Sequence, residues 1–541
     1  MRVEILNRQW TARSTIGLAG VLVFALSISP VLYMFVRSLE HNGQFTLAYY
    51  AQLLGEPRQR RLLGHSIQLA AWAALAGSAL GVPAGLLLAR LPQATALLLR
   101  FVLLVPLLLP PYILGVVWVF VMGRAGWLSR WMGSDVASVW AYSLPGAGLV
   151  LGLALAPLSM LLAEAARRAI PARLIEAARL VAGPSRTLAR ITLPLVASSL
   201  AAGGLLVFVL ALAEFGVPSL LGVRVYTTEV FTQFAALYNF GAATATAAPL
   251  LLVVVVAAGL ARILLGGRVL TSSLMAEQPL RLSSPARVAA QSYLILLGLL
   301  MVAGPLLVLM VEAGSWRALL DALVSARIQI GTSIALSIIG ASLATGLGLL
   351  LGYWRARTTS GGRGFFDVGM LVLFAVPSTV VGIGLIGLWN RTGWTGAFYT
   401  SPAMIIIGYL ARYVPLAALL LGAYLQQLPA AREEAAIVFG AHWWRMLGRI
   451  VVPAARLGLA VIWTICFIFM FGELGTTVLV APPGTTTLPV RVYAIMANSP
   501  DQRVAELCLM QTLVILLSLG GLLAAVQVAG RRQKNGGKVD E

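Results

Sequence analysis

Apolar residues fall into long runs along this chain, separated by short polar stretches that carry most of the charge. A bilayer-spanning helix needs about 20 apolar residues. Twelve runs meet that length, at 15–37, 66–89, 98–122, 143–166, 195–221, 245–266, 289–313, 331–354, 366–390, 402–426, 456–481 and 506–530. The first is preceded by Arg2, Arg8 and Arg13, and no small-x-small cleavage pattern follows before Arg37. It reads as a retained span and not as a removed leader. The predicted fold class is all-α and polytopic, with about 12 transmembrane helices.

Composition agrees and narrows the choice. Of 541 residues, 59% are hydrophobic and 11% charged. That is too little charge to coat a soluble body and too much apolar content for disorder. The net charge is +20, from 39 Lys+Arg against 19 Asp+Glu, and the only lysines are Lys534 and Lys538. The arginines form no single patch or tail, which speaks against nucleic acid as a partner. They punctuate the apolar runs. With the N-terminus in the cytoplasm, the even-numbered connections and both tails hold 26 of the 39 basic residues. The positive-inside rule then places both termini on the cytoplasmic side.

Cys466 and Cys508 sit in apolar runs and read as small core residues. The three histidines, His41, His65 and His442, are scattered. No metal-ligand spacing and no catalytic nucleophile arrangement is visible, so no catalytic or metal residue is assigned.

The chain repeats itself. His65-Ser66-Ile67-Gln68-Leu69 parallels Thr332-Ser333-Ile334-Ala335-Leu336, and Gly81, Gly85 and Arg90 parallel Gly348, Gly352 and Arg357. Val105-Pro106 and Trp118 pair with Val376-Pro377 and Trp389, Pro157 with Pro415, and Glu214-Phe215-Gly216 with Glu473-Leu474-Gly475. Each half is therefore a six-helix unit of the same topology, related by an axis along the membrane normal. The expected organisation is a first half at 1–266, a cytoplasmic linker at 267–288 carrying Arg268, Glu277 and Arg281, a second half at 289–530, and a basic tail at 531–541. That tail serves as a topology signal with some anionic-lipid contact.

Between the fourth and fifth spans each half has a long polar segment. One contains Pro171, Glu176-Ala177-Ala178 and Gly183; the other contains Pro429, Glu434-Ala435-Ala436 and Gly440. Proline suits the first turn of a helix and an early acid suits its dipole. The alanine pair leaves low relief and the glycine permits a turn. Each segment predicts a short helix offered to another protein. Pro194 and Pro453 are expected to start the next span.

Glu-Ala-Ala-x-x-x-Gly followed by Ile-x-Leu-Pro resembles the signature loop of ATP-binding-cassette importer permeases. The second copy fits at Glu434, Ala435, Ala436, Gly440, Ile450 and Pro453, with Val452 for leucine; the first has Ala182 at the glycine position, with Gly183 next. The resemblance covers nearly the whole chain. It implies a type I importer fold made as a fused double-length permease. It also implies two copies of a cytoplasmic ATP-binding subunit docked on the two loops, an external solute-binding protein, and location in a bacterial inner membrane. The chain has no phosphate-binding loop, since neither lysine is followed by Ser or Thr. It is thus no enzyme and holds no cofactor, with ATP bound on the partner subunit.

Double-length permeases of this kind resemble ferric iron and thiamine importers. Glu214-Phe215-Gly216-Val217-Pro218, Asn239-Phe240-Gly241-Ala242-Ala243 and Thr487-Leu488-Pro489-Val490-Arg491-Val492-Tyr493 favour the iron type. Thiamine and aminophosphonate importers share much of this texture and stay open as cargoes. Charge inside a bilayer costs roughly 2.5–3.5 kcal/mol and so faces a wet path or the bundle interior. Glu214, Glu473 and Arg412 are therefore candidate path residues. The competing reading makes Arg412 a structural counter-ion and gives the glutamates backbone partners. Pro106, Pro110, Pro111, Pro157, Pro377 and Pro415 are candidate kinks, with packing the simpler role. Pro482-Pro483-Gly484-Thr485-Thr486-Thr487 lies on the outer side, as an inert turn or a contact for the binding protein. A secondary transporter of two six-helix repeats is the alternative class; it has no use for the two polar loops.

Overall fold

A computed structural model describes residues 10–41, 44–265, 283–358 and 362–536. Apart from a two-residue strand pair, Glu40–His41 with Gln44–Phe45, its regular structure is helical. Among the described residues, eleven helices are long and apolar enough to cross a membrane, and a bent pair supplies a twelfth. Each of the twelve predicted runs overlaps one of them, the third only in its second part. Exposed apolar side chains such as Leu252, Ile263, Leu296, Leu307 and Leu517 form a lipid-facing exterior.

The repeat has a packing cause. Spans two (Pro57–Leu88) and four (Leu144–Arg168) approach so closely that a Cβ on Gly81 or Gly85 would strike the backbone at Ala156 or Met160. In the second half Gly348 and Gly352, on Arg327–Arg357, face Ala417 and Gly422 on Ala403–Gln427 in the same way. Small residues let membrane helices touch without a hydrophobic driving force between them. The paired serines are equivalent too. Ser66 Oγ accepts a hydrogen bond from the Tyr226 amide at 2.8 Å, and Ser333 Oγ accepts one from Leu488 at 2.7 Å.

The third and ninth spans are not single helices. Gln93–Leu108 ends before Pro110, and Pro111–Met122 begins after it. Gly362–Ala375 and Ser378–Trp389 meet at Pro377 with a bend of 88°. The structural partner of Pro377 is therefore Pro110, at the same spacing that relates Gly81 to Gly348, and not Pro106. Pro106, Pro157 and Pro415 lie inside continuous helices.

Pro194 and Pro453 do not start their spans. Each sits two residues beyond a five-residue π-helical turn, Leu188–Thr192 and Leu447–Val451, inside a longer helix. Pro30 and Pro305 follow Phe24–Ile28 and Leu299–Ala303 in the same manner, in spans one and seven. A proline lacks an N–H and crowds the carbonyl four residues back. Widening the preceding turn relieves that crowding and keeps the helix running.

Two predicted boundaries shift. Helix begins at Ser284, inside the segment assigned to the linker, and the last helix, Asp501–Gly536, runs into the assigned tail. Arg2, Arg8, Arg268, Glu277, Arg281 and Lys538 lie outside the described residues.

Candidate functional site

Both polar loops form helices, as their prolines and alanines predict. The first, Ala172–Thr187, is broken at Gly183, where φ is 68°. The second, Ala431–Val438, ends just before Gly440, where φ is 76°. A Cβ at either glycine would meet nothing within 4 Å. The requirement is thus on the backbone alone, in the left-handed region that other residues enter only with strain. Gly183 does the work of Gly440 although it comes one residue later.

On the first helix Glu176 and Ala177 are exposed and Ala178 is half-buried. On the second Ala435 is exposed, while Glu434 and Ala436 are half-buried. Large apolar side chains also point outward: Leu180 and Val181 are 89% and 90% exposed, Val438 and Phe439 83% and 89%. These four hold the same positions relative to the two Glu-Ala-Ala triplets. Sequence reasoning did not single them out. Their signal is an apolar pair after the alanines, on a helix otherwise too polar to be a span.

Sequence reasoning also passed over Glu433, beside the expected Glu434. Glu433 is buried and receives Arg357 Nη2 on Oε1 at 2.5 Å and Arg357 Nε on Oε2 at 2.9 Å. The Tyr353 hydroxyl donates to it at 3.0 Å, and Arg357 Nη1 reaches the Leu425 carbonyl at 3.1 Å. This cluster ties the second loop helix to the end of span eight.

The intramembrane charges meet at the join between the halves. The helix of span five stops at Leu212 and that of span eleven at Phe471. Each chain then breaks and resumes as a short helix, Gly216–Leu220 or Thr477–Val480. Glu214 and Glu473 occupy the two breaks, where amides at a helix start lack intrahelical partners. Glu214 Oε1 accepts from the Gly216 amide at 2.9 Å. Glu473 accepts from the Thr476 and Thr477 amides, each at 3.0 Å, and from the Thr477 hydroxyl at 2.8 Å. Arg412 Nη1 donates to Glu473 Oε1 at 2.7 Å and lies within electrostatic reach of Glu214.

The three charged side chains line one cavity of about 140 Å³, together with Tyr112, Phe374 and Tyr413. That volume holds several waters. Across the join, the Ser219 and Tyr493 hydroxyls are 2.8 Å apart and Tyr112 is hydrogen-bonded to Gln511. The charges are hydrogen-bonded into the fold and face a partly open, mainly apolar cavity. Among the described residues, no group of three His, Cys, Asp or Glu side chains converges. Pro482–Thr487 forms a turn in which the Thr485 amide donates to the Pro482 carbonyl at 3.0 Å.

A family model described as binding-protein-dependent transport system inner membrane component matches residues 81–269 and again 344–529. A Haemophilus influenzae protein named as permease FbpB 1 of a ferric transport system is 23% identical, covering 90% of this chain and 80% of its own. A second protein from that organism, named Fe(3+)-transport system permease protein FbpB 2, is 22% identical over 86% of this chain and 89% of its own. A Salmonella typhi protein named for 2-aminoethylphosphonate transport, PhnU, is 31% identical over 25% of this chain and 46% of its own.

Proposed function

The chain belongs to the family of binding-protein-dependent transport system inner membrane components, and from that premise we propose that it is the transmembrane permease of an ATP-driven importer of ferric iron. The supporting observation is the pair of loop helices, one per half, each with an outward apolar pair and a left-handed glycine. Each helix docks one copy of an ATP-binding subunit, through Glu176, Ala177, Ala178 and Gly183 in one half and Glu434, Ala435, Ala436 and Gly440 in the other. ATP is bound and hydrolysed on those subunits. An external solute-binding protein delivers the cargo to the opposite face. Both termini and both loop helices lie in the cytoplasm, where the arginine bias puts them. The halves at 1–266 and 289–530 act as the two members of a permease dimer, joined by the segment 267–288.

Iron is favoured because two relatives named for ferric transport align along most of the chain, while the relative named for aminophosphonate aligns along a quarter of it. The axial cavity suits the assignment. Ferric ion is a hard cation with a preference for oxygen, and Glu214 and Glu473 offer carboxyl oxygens to the cavity. Cargo passing between the halves would meet Glu214, Glu473 and Arg412.

The test is reconstitution with the ATP-binding subunit and the binding protein, followed by uptake of labelled ferric iron, thiamine and 2-aminoethylphosphonate. Iron uptake that requires ATP and resists an ionophore is the expected result. Uptake of another cargo alone would refute the cargo assignment, and uptake driven by an ion gradient without ATP would refute the class.

A further inference from the structure

The two halves differ in charge where the loop helices meet the span ends. In the second half Arg357 is neutralised by Glu433. Arg90 occupies the position of Arg357 in the first half, two residues past the end of span two. The residue before Glu176, where Glu433 precedes Glu434, is Ile175, and it is 2% exposed. The acid is missing.

Two further arginines are present instead. Arg167 lies four residues before Pro171, where the second half has Leu425 before Pro429; Arg179 lies three after Glu176, where the second half has Ile437 after Glu434. Arg167 is 7% exposed. Arg179 is half-buried on the inward face of the loop helix, opposite the exposed Leu180 and Val181. The Nε atoms of Arg90 and Arg179 are buried without a hydrogen-bond partner. Glu164 is engaged by Arg100 and Arg168. Among the described residues, no carboxylate pairs with Arg90, Arg167 or Arg179. Burial, then the nearby guanidiniums of Arg179 and Arg167, pull Arg90 down to about 10.

Removing charges from water without a counter-charge is strongly unfavourable. A fold that gathers three guanidiniums under one helix, where its own duplicate places one arginine and one glutamate, calls for an anion from outside. We infer that Arg90, Arg167 and Arg179 form a binding site for a phosphate-class oxyanion, supplied by a phospholipid headgroup or by free phosphate. Guanidinium forks match the geometry of phosphate oxygens. The site lies at a span end, where basic pockets between helices meet headgroups. Its donors face inward, under the loop helix, so a small anion reaches them more readily than a folded protein does. The bound anion takes the place of Glu433 and anchors the first loop helix to its span.

The test measures thermal unfolding of the delipidated full-length chain in phosphatidylcholine nanodiscs. One arm adds sodium phosphate against sodium chloride at matched ionic strength; another replaces part of the lipid with phosphatidylglycerol. The expected result is a rise in midpoint of about 2 °C or more in at least one arm. The phosphate arm alone identifies the free ion, the lipid arm alone the headgroup. Ile175→Glu supplies the missing carboxylate and abolishes the rise, and Arg179→Ile, the second half's residue, reduces it. No rise in either arm, an equal rise in chloride, or a rise undiminished in both variants would overturn the inference. A rise seen only on adding the ATP-binding subunit would also overturn it and assign the cluster to a partner's carboxylate.

Discussion

Arg357 and Glu433 are joined by two parallel hydrogen bonds between the end of span eight and the second loop helix, with both side chains buried. Removing one member of a buried ion pair costs about 3–5 kcal/mol, because the other is left uncompensated, whereas replacing both with packed apolar residues is often neutral. Glu433→Gln and Arg357→Met are each expected to lower the thermal midpoint of the purified chain. Arg357→Met combined with Glu433→Leu is expected to recover most of the loss. A double variant as unstable as the sum of the singles would count against this pairing.

Gly440 and Gly183 carry positive φ in open surroundings. Alanine at either fits in space but strains the backbone, by roughly 1 kcal/mol or more. Gly440→Ala and Gly183→Ala are expected to leave the amount of folded chain in the membrane unchanged. ATP hydrolysis stimulated by the loaded binding protein should fall several-fold. Undiminished stimulation in the double variant contradicts a coupling role for these turns.

Leu180, Val181, Val438 and Phe439 present exposed apolar surface. If an ATP-binding subunit covers them, burying each is worth about 1.5–3 kcal/mol at most. Changing Val438 and Phe439 to serine is expected to weaken association with that subunit by tenfold or more, read by co-purification or titration in detergent. The same change at Leu180 and Val181 tests the other dock separately.

Arg412 and Glu473 form an ion pair inside the membrane region, and Glu214 faces the same cavity. Arg412→Met leaves Glu473 buried without its cation and is expected to destabilise the chain. Glu214→Gln keeps the hydrogen bond from the Gly216 amide and is expected to fold normally while slowing iron uptake. Normal uptake by Glu214→Gln with Glu473→Gln, at normal membrane levels, removes both carboxylates from the path.

Span number, the duplication and the loop helices were all legible in the sequence, because each has a local cause. Apolar length sets a span, glycines at fixed spacing set a close helix approach, and alanines between a proline and a glycine set a short helix. The breaks were harder to see. Pro106 and Pro110 look alike in an apolar run, yet the chain breaks only at Pro110, since Pro106 continues a helix whose turns accommodate it. Pro194 and Pro453 looked like helix starts because a π-helical turn, which accommodates each within the helix, leaves no trace in hydropathy. Glu433 was hidden beside Glu434: whether an acid on a short helix faces water or a buried arginine depends on how that helix docks. The first half's Ile175 becomes informative only when the two docks are set side by side.

Arg412 has no twin. Three residues before Pro415 stands this arginine; three before Pro157 stands Ala154. Two identical subunits around a dyad carry such a residue twice or not at all. A single cation facing two carboxylates is an odd count that only non-identical halves can hold. The cavity therefore has a built-in polarity across its axis. The bond sits on the Glu473 side, so the two halves meet the same space with unequal charge.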